Sequence, residues 1–247
     1  MNTEKTKVIW IGRKKYSKDK IETTIELEWG STKFSLLGLE YSVDLSEMVT
    51  INFDKTLSKT KKILNNWSKR YLTPIGKITV IKTFILSNFN HMFISLPNPD
   101  QQVLSALINQ MYSFIWNNKP DKINREQLTQ DYLSGGLKMI NLSNYIKSLK
   151  STWIRKILYQ NTGEWMNVLI SIIPKIVTNI CIYGPNWCQQ IKRQVSNPFW
   201  RDYLIHGLAL LNQFQLNLLK IYGRVHYGLI RTFLKWYSIF LHGIIKV

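Results

Sequence analysis

Eight cations and no carboxylate occupy the stretch from Lys55 to Phe93: Lys55, Lys59, Lys61, Lys62, Lys69, Arg70, Lys77 and Lys82. Side chains of this type, with the acids that would balance them missing, suit a polyanion, and they neutralise phosphates along a nucleic-acid backbone without reading its sequence. Lys138, Lys147, Lys150, Arg155 and Lys156 repeat the theme between Tyr132 and Gly163, again without an acid. The whole chain agrees: 33 Lys and Arg against 15 Asp and Glu give a formal charge of +18. Nucleic acid is the first partner implied and an anionic membrane surface the second. A charge run on one helix is also what a solvated face looks like.

Catalytic patterns are weaker. Nucleotidyl transfer needs paired carboxylates holding two divalent ions, and the acids here are scattered, with no adjacent aspartate pair and no DxD. The sequence contains no HExxH, GxSxG or phosphate-binding glycine loop. Cys181 and Cys188 fit neither a CxxC redox pair nor a close zinc-ligand pair, and read as reduced structural thiols. His91, His206, His226 and His242 lie near no matching ligand cluster. No metal site is expected.

The elements that must position the cations follow from periodicity. Residues 7 to 12, 25 to 29 and 34 to 43 are apolar and β-branched runs bounded by Gly12, Gly30 and Gly38, which predicts a small antiparallel sheet. From about Asn52 the period becomes helical. Leu57, Ile63, Leu64, Trp67 and Tyr71 share one side and Lys55, Lys59, Lys62 and Lys69 the other. Thr73 and Pro74 start a second helix to about residue 94, its stripe running Ile75, Ile78, Ile81, Ile85, Leu86, Phe89 and Phe93. Pro97 and Pro99 stop it. Asp100 is placed to cap a third helix through Val103, Leu104, Leu107, Met111 and Ile115. Gly135 and Gly136 mark a turn before a fourth helix, 143 to 160, with Ile146, Leu149, Trp153 and Ile157 apolar. Trp67, Trp116 and Trp153 suit a core better than base stacking. The fold class expected is α+β and mostly α, with a small antiparallel sheet, a helical bundle and further helices divided by Pro174, Pro185 and Pro198. The N-terminus lacks the order of a secretory signal, which points to an intracellular setting. Residues 228 to 247 are apolar, but Arg231, Lys235 and His242 argue against a membrane span.

In order and spacing, ILNNWSKRYLTPIGKITVIKTFIL (63 to 86), LPNPD (96 to 100), FIWNNK (114 to 119) and SGGLKMINL (134 to 142) resemble the region after the polymerase active site in reverse transcriptases of LINE-type (non-LTR) retrotransposons. NTEKTKVIWIGRKKYS (2 to 17) is similar to the end of their motif D, and FSLLGLEYSVDL (34 to 45) to motif E, the hairpin that grips the primer terminus. The resemblance covers about residues 2 to 160. It implies a palm remnant over 1–50, a helical thumb over 51–160 and a C-terminal helical region over 161–247. It implies template and primer, RNA and DNA, as partners, with an upstream polymerase fragment as a further candidate. Leu37 and Gly38 would form the primer-grip turn, while Lys55, Lys59, Lys62, Lys69, Arg70 and Lys77 would contact nucleic acid. Lys5 would correspond to the motif D lysine that protonates departing pyrophosphate. The family's catalytic aspartates lie upstream of motif D, so the Mg²⁺ of the intact enzyme has no ligands here, and this chain alone is expected to be inactive.

Two departures stand beside the resemblance. Cys181 and Cys188 do not reproduce the Cys/His knuckle of many relatives, and after Asp202 there is no acid at all. The alternative readings are a non-catalytic nucleic-acid-binding module and a decayed transposon relic whose tail is a frameshift product.

Overall fold

The computed structural model describes residues 6–10, 12–22, 28–29, 32–159, 163–176, 179–180, 187, 190–191 and 193–205. Their fold is mostly helical, with short strands near the start. The chain divides into two compact units, Met1–Ile140 and Asn141–Val247.

In the first unit, β1 (Lys7–Val8) pairs with β2 (Glu28–Trp29), and β3 (Lys33–Leu36) with β4 (Leu39–Ser42). The expected antiparallel sheet is only half right. β3 and β4 form an antiparallel hairpin in the register Lys33 to Ser42 and Leu36 to Leu39, whereas β1 and β2 run parallel. A parallel pair needs a connection of about a dozen residues or more, and the segment between Val8 and Glu28 is long enough to supply it. The hairpin turns on Leu37 (φ 51°) and Gly38 (φ 81°). Two consecutive left-handed residues match the twist of the flanking strands, and glycine takes the second at no steric cost.

α1 (Leu45–Ser68) begins earlier than the periodicity suggested, because Asp44 caps it by accepting from the Ser46 amide at 2.9 Å. Glu47 in its first turn accepts from Ser42 Oγ at 2.7 Å and pairs with Lys33 at 2.5 Å, which fastens the helix start to the hairpin. Phe53, Thr60 and Leu64 are buried, whereas Tyr71 is fully exposed. The helix has ended at Ser68, so Tyr71 has left its phase.

α2 (Pro74–Val80), a π-helical turn (Ile81–Leu86) and α3 (Ser87–Ser95) form one continuous rod. Thr73 Oγ1 accepts from the Gly76 amide at 3.2 Å, and Pro74 fills the first position, where no donor is required. Ile78, Ile81, Ile85, Leu86, Phe89 and Phe93 are all buried as expected. Ile75, in the first turn, is half exposed instead. The wide turn shifts the inward stripe by about one residue, which lets Ile85 and Leu86 both face the core. Phe53 joins Phe89 and Phe93 with ring centroids 6.3 and 5.6 Å away.

α4 (Gln101–Trp116) packs against α1 and α2 through Leu107, Met111 and Ile115. Asp100 sits at its cap, but the carboxylate makes no capping bond; the Asp100 carbonyl accepts from Val103 and Leu104 instead. Asn117 (φ 53°) and Asn118 (φ 59°) end the helix in the left-handed region that asparagine tolerates. A short α5 (Arg125–Thr129) and a 3-10 turn (Tyr132–Ser134) lie where no helix was expected. α5 buries Leu128 completely. The chain then turns on Gly135 (φ 74°), and Leu137 and Met139 donate back to the Leu128 carbonyl.

The second unit begins with α6 (Leu142–Tyr159) and α7 (Glu164–Ile172), and residues 198–205 are helical. Ile154, Ile157, Met166, Leu169, Trp200, Tyr203 and Leu204 are among the residues of its core. The expected boundary after residue 160 would cut α6 from the partners that bury its apolar stripe. Among the described residues, no helix is long and apolar enough to cross a membrane. The apolar run at 228 to 247 lies outside the described residues.

Candidate nucleic-acid interface

One buried side chain sets the geometry of the hairpin on α1. Asn52 Oδ1 accepts from the Glu40 amide at 2.9 Å, and its Nδ2 donates to the Glu40 carbonyl at 2.7 Å and the Met48 carbonyl at 2.7 Å. A single amide thus satisfies both backbone groups of a β4 residue, as a neighbouring strand would. The Lys55 ammonium, one turn along, pairs with the Glu40 carboxylate at 3.2 Å.

A groove of about 620 Å³ opens beside this joint. Gly38 and Leu39 of the hairpin line one end, Asn52, Lys55, Lys59 and Lys62 of α1 one wall, and Asn88, His91 and Met92 of α3 the other. No Asp or Glu lines it. Lys55, Lys59 and Lys62 are exposed, and the Leu37 side chain stands out at the hairpin tip, 80% accessible. The structure therefore brings Gly38, Lys55, Lys59 and Lys62 to one concave surface. Asn88 and His91 join them; their three-residue spacing on a helix, which puts two side chains on one face, was the signal the sequence held for them.

The other anticipated contacts are placed differently. Lys69 is exposed at the C-cap of α1. Arg70 lays its guanidinium 4.4 Å from the centroid of the Trp67 ring. Lys77 departs from an exposed phosphate contact: it is 3% accessible, and its ammonium donates to the Phe114 carbonyl at 3.0 Å, the Ile115 carbonyl at 3.2 Å and the Asn117 side-chain oxygen. It caps the negative end of α4, a role for which its position in the sequence gave no hint. Burial pushes its pKa down. Lys82 is half-buried, and its pKa is lowered by burial and then by the nearby charge of Lys138. Lys5 lies outside the described residues.

In the second basic group, Lys138 pairs with Asp131 at 3.1 Å and Lys156 rests over the Trp153 ring at 4.6 Å. Lys150 is fully buried, 3.7 Å from the Asp202 carboxylate and 4.6 Å from the centre of the Tyr203 ring. It is a core cation, because its place on α6 falls on the buried side with Ile146, Ile154 and Ile157. Trp116 is buried and Trp153 meets Trp165, Phe199 and Trp200 edge to face, as the core reading anticipates, whereas Trp67 is only part-buried and packs on the exposed Phe84.

Such a surface can hold anionic backbone by charge and hydrogen bonding. Among the described residues, no group of His, Cys, Asp and Glu could hold a metal ion. No protein-family model matches the sequence.

Proposed function

We propose that this chain derives from the part of a LINE-type retrotransposon reverse transcriptase that follows the polymerase active site, and that it binds the template and primer hybrid. The hairpin over Leu37 and Gly38 serves as the primer grip, and the helices from α1 to α4 as the thumb. The observation that carries this reading is the Asn52 joint, which holds the hairpin turn and the exposed Lys55, Lys59 and Lys62 around one acid-free groove. The motif order in the sequence supports it independently. Nucleotide transfer is not assigned to this chain alone, since its 247 residues contain no paired aspartates.

The test is direct binding of the full chain to an RNA:DNA hybrid at physiological salt, with vesicles of anionic phospholipid in parallel. Hybrid binding that is indifferent to base sequence and exceeds vesicle binding is the expected outcome. Vesicle binding that exceeds hybrid binding would favour a membrane-surface protein and overturn the reading.

A further inference from the structure

A second, larger cleft lies on the other side of the α1 ridge, with a volume of about 1080 Å³. Its lining differs in chemistry from the first groove. Lys61, Lys62 and Arg70 supply cations, α1 supplies the amide of Asn65, α4 those of Asn109 and Gln110, and Asn117 and Asn118 add two more where that helix ends, the Asn117 oxygen being held by Lys77. No carboxylate lines it. The Gln110 side-chain oxygen is buried with no hydrogen-bond partner among the described residues. Tyr71 stands at the edge with its ring fully exposed.

Cations without acids select an anion, but five amides are more than a phosphate needs. Amides both donate and accept, which matches the edges of unpaired bases, and an exposed aromatic ring offers a stacking platform to any of them. In a duplex, those edges and faces are already occupied by pairing and stacking. We propose that this cleft binds a single-stranded segment continuous with the hybrid, its bases against Tyr71 and the α4 amides and its phosphates against Lys61 and Arg70. Ser58 and Lys62 line both the groove and the cleft, so a strand leaving one surface enters the other. The inference rests on the hybrid-binding reading and extends it to the unpaired strand.

The experiment compares a blunt RNA:DNA hybrid with hybrids carrying a single-stranded extension of about five nucleotides on the RNA or on the DNA strand. An extension should tighten binding to the wild-type chain about tenfold, the effect of roughly one stacked base. The double substitution Tyr71→Ala, Asn109→Ala changes two exposed side chains outside the first groove. It should abolish that gain and leave blunt-hybrid affinity unchanged. A gain from one extension alone identifies the strand bound; a gain from both shows that the cleft does not discriminate the sugar. If blunt hybrid binds but neither extension helps, or if the gain survives in the variant, the cleft is not a single-strand site and the hybrid reading stands. Equal weakening for blunt and extended hybrids in the variant would also overturn the cleft proposal, and failure of the wild type to bind any of the three would overturn both.

Discussion

At the residue scale, three polar side chains withdrawn from solvent decide how the exposed ones are held. Asn52 replaces strand pairing for Glu40, and its removal as Asn52→Ala would leave a part-buried amide and carbonyl without these partners. The expected cost is about 1–3 kcal/mol, read as a lower urea midpoint; a midpoint unchanged from wild type would show that the joint is not structural. Lys77 spends its charge on the end of α4. Lys150 carries a pH signature. Burial drives its pKa down to about 8, with Asp202 pulling partly the other way. The unfolded chain keeps that proton to about the ordinary 10.5. Between these values the unfolded state binds more protons, so stability rises with pH from about 8 towards 10 by on the order of 2 kcal/mol. Above about 10 the raised pKa of the buried Tyr203 phenol acts in the opposite sense, because the folded state then retains the extra proton. Thermal melts of wild type and Lys150→Met over this range test the assignment: the rise should be present in the first and absent from the second. The same rise in both would place its origin elsewhere.

At the scale of elements, the turns carry as much specification as the helices. A Cβ on Gly136 would stand 2.1 Å from the Gln130 carbonyl oxygen, a backbone atom that cannot swing away. Gly136→Ala should therefore destabilise the first unit by a few kcal/mol, more than Gly135→Ala, whose Cβ meets only the Gln127 side chain at 3.5 Å and whose cost is the strain of a left-handed backbone. Equal melting temperatures for the two variants would contradict this turn geometry. The long rod was legible because Thr73, Pro74 and the isoleucine and phenylalanine stripe all state the same helix. The start of α1 was missed although Asp44 and Glu47 have capping spacing, since the apolar period does not declare itself until later. The parallel pairing of β1 and β2 was not legible, as two-residue strands carry no pattern that distinguishes partner direction. The lysines show the same limit. Lys59 and Lys77 look alike in sequence, and only the packing of α2 on α4 draws Lys77 inward while Lys59 stays in water.

At the scale of the molecule, excess positive charge becomes a directed surface only where acids are excluded and backbone is held rigid. At the groove beside the hairpin no Asp or Glu is part of the lining, Glu40 meets Lys55 at its edge, and Asn52 ties the hairpin to α1. The sequence has no adjacent aspartate pair and no DxD, so the purified chain should extend no primer on an RNA template with Mg²⁺ or Mn²⁺. Extension that disappears on changing Asp44 or Asp54 would refute that expectation.

On the proposed reading, the exposed flank of α1 holds the phosphate backbone of a hybrid. Affinity measured against salt concentration, for wild type and for a variant with Lys55, Lys59, Lys62 and Lys69 all changed to Gln, decides whether it does. Removing one lysine from a phosphate should flatten the slope of log affinity against log salt by about 0.9, so the variant should bind unrelated hybrids more weakly, with a slope reduced by about 3.6 and an unchanged melting temperature. A variant that keeps both the wild-type affinity and the wild-type slope would reduce the cluster to a solvated helix face and rule out phosphate contact by this helix.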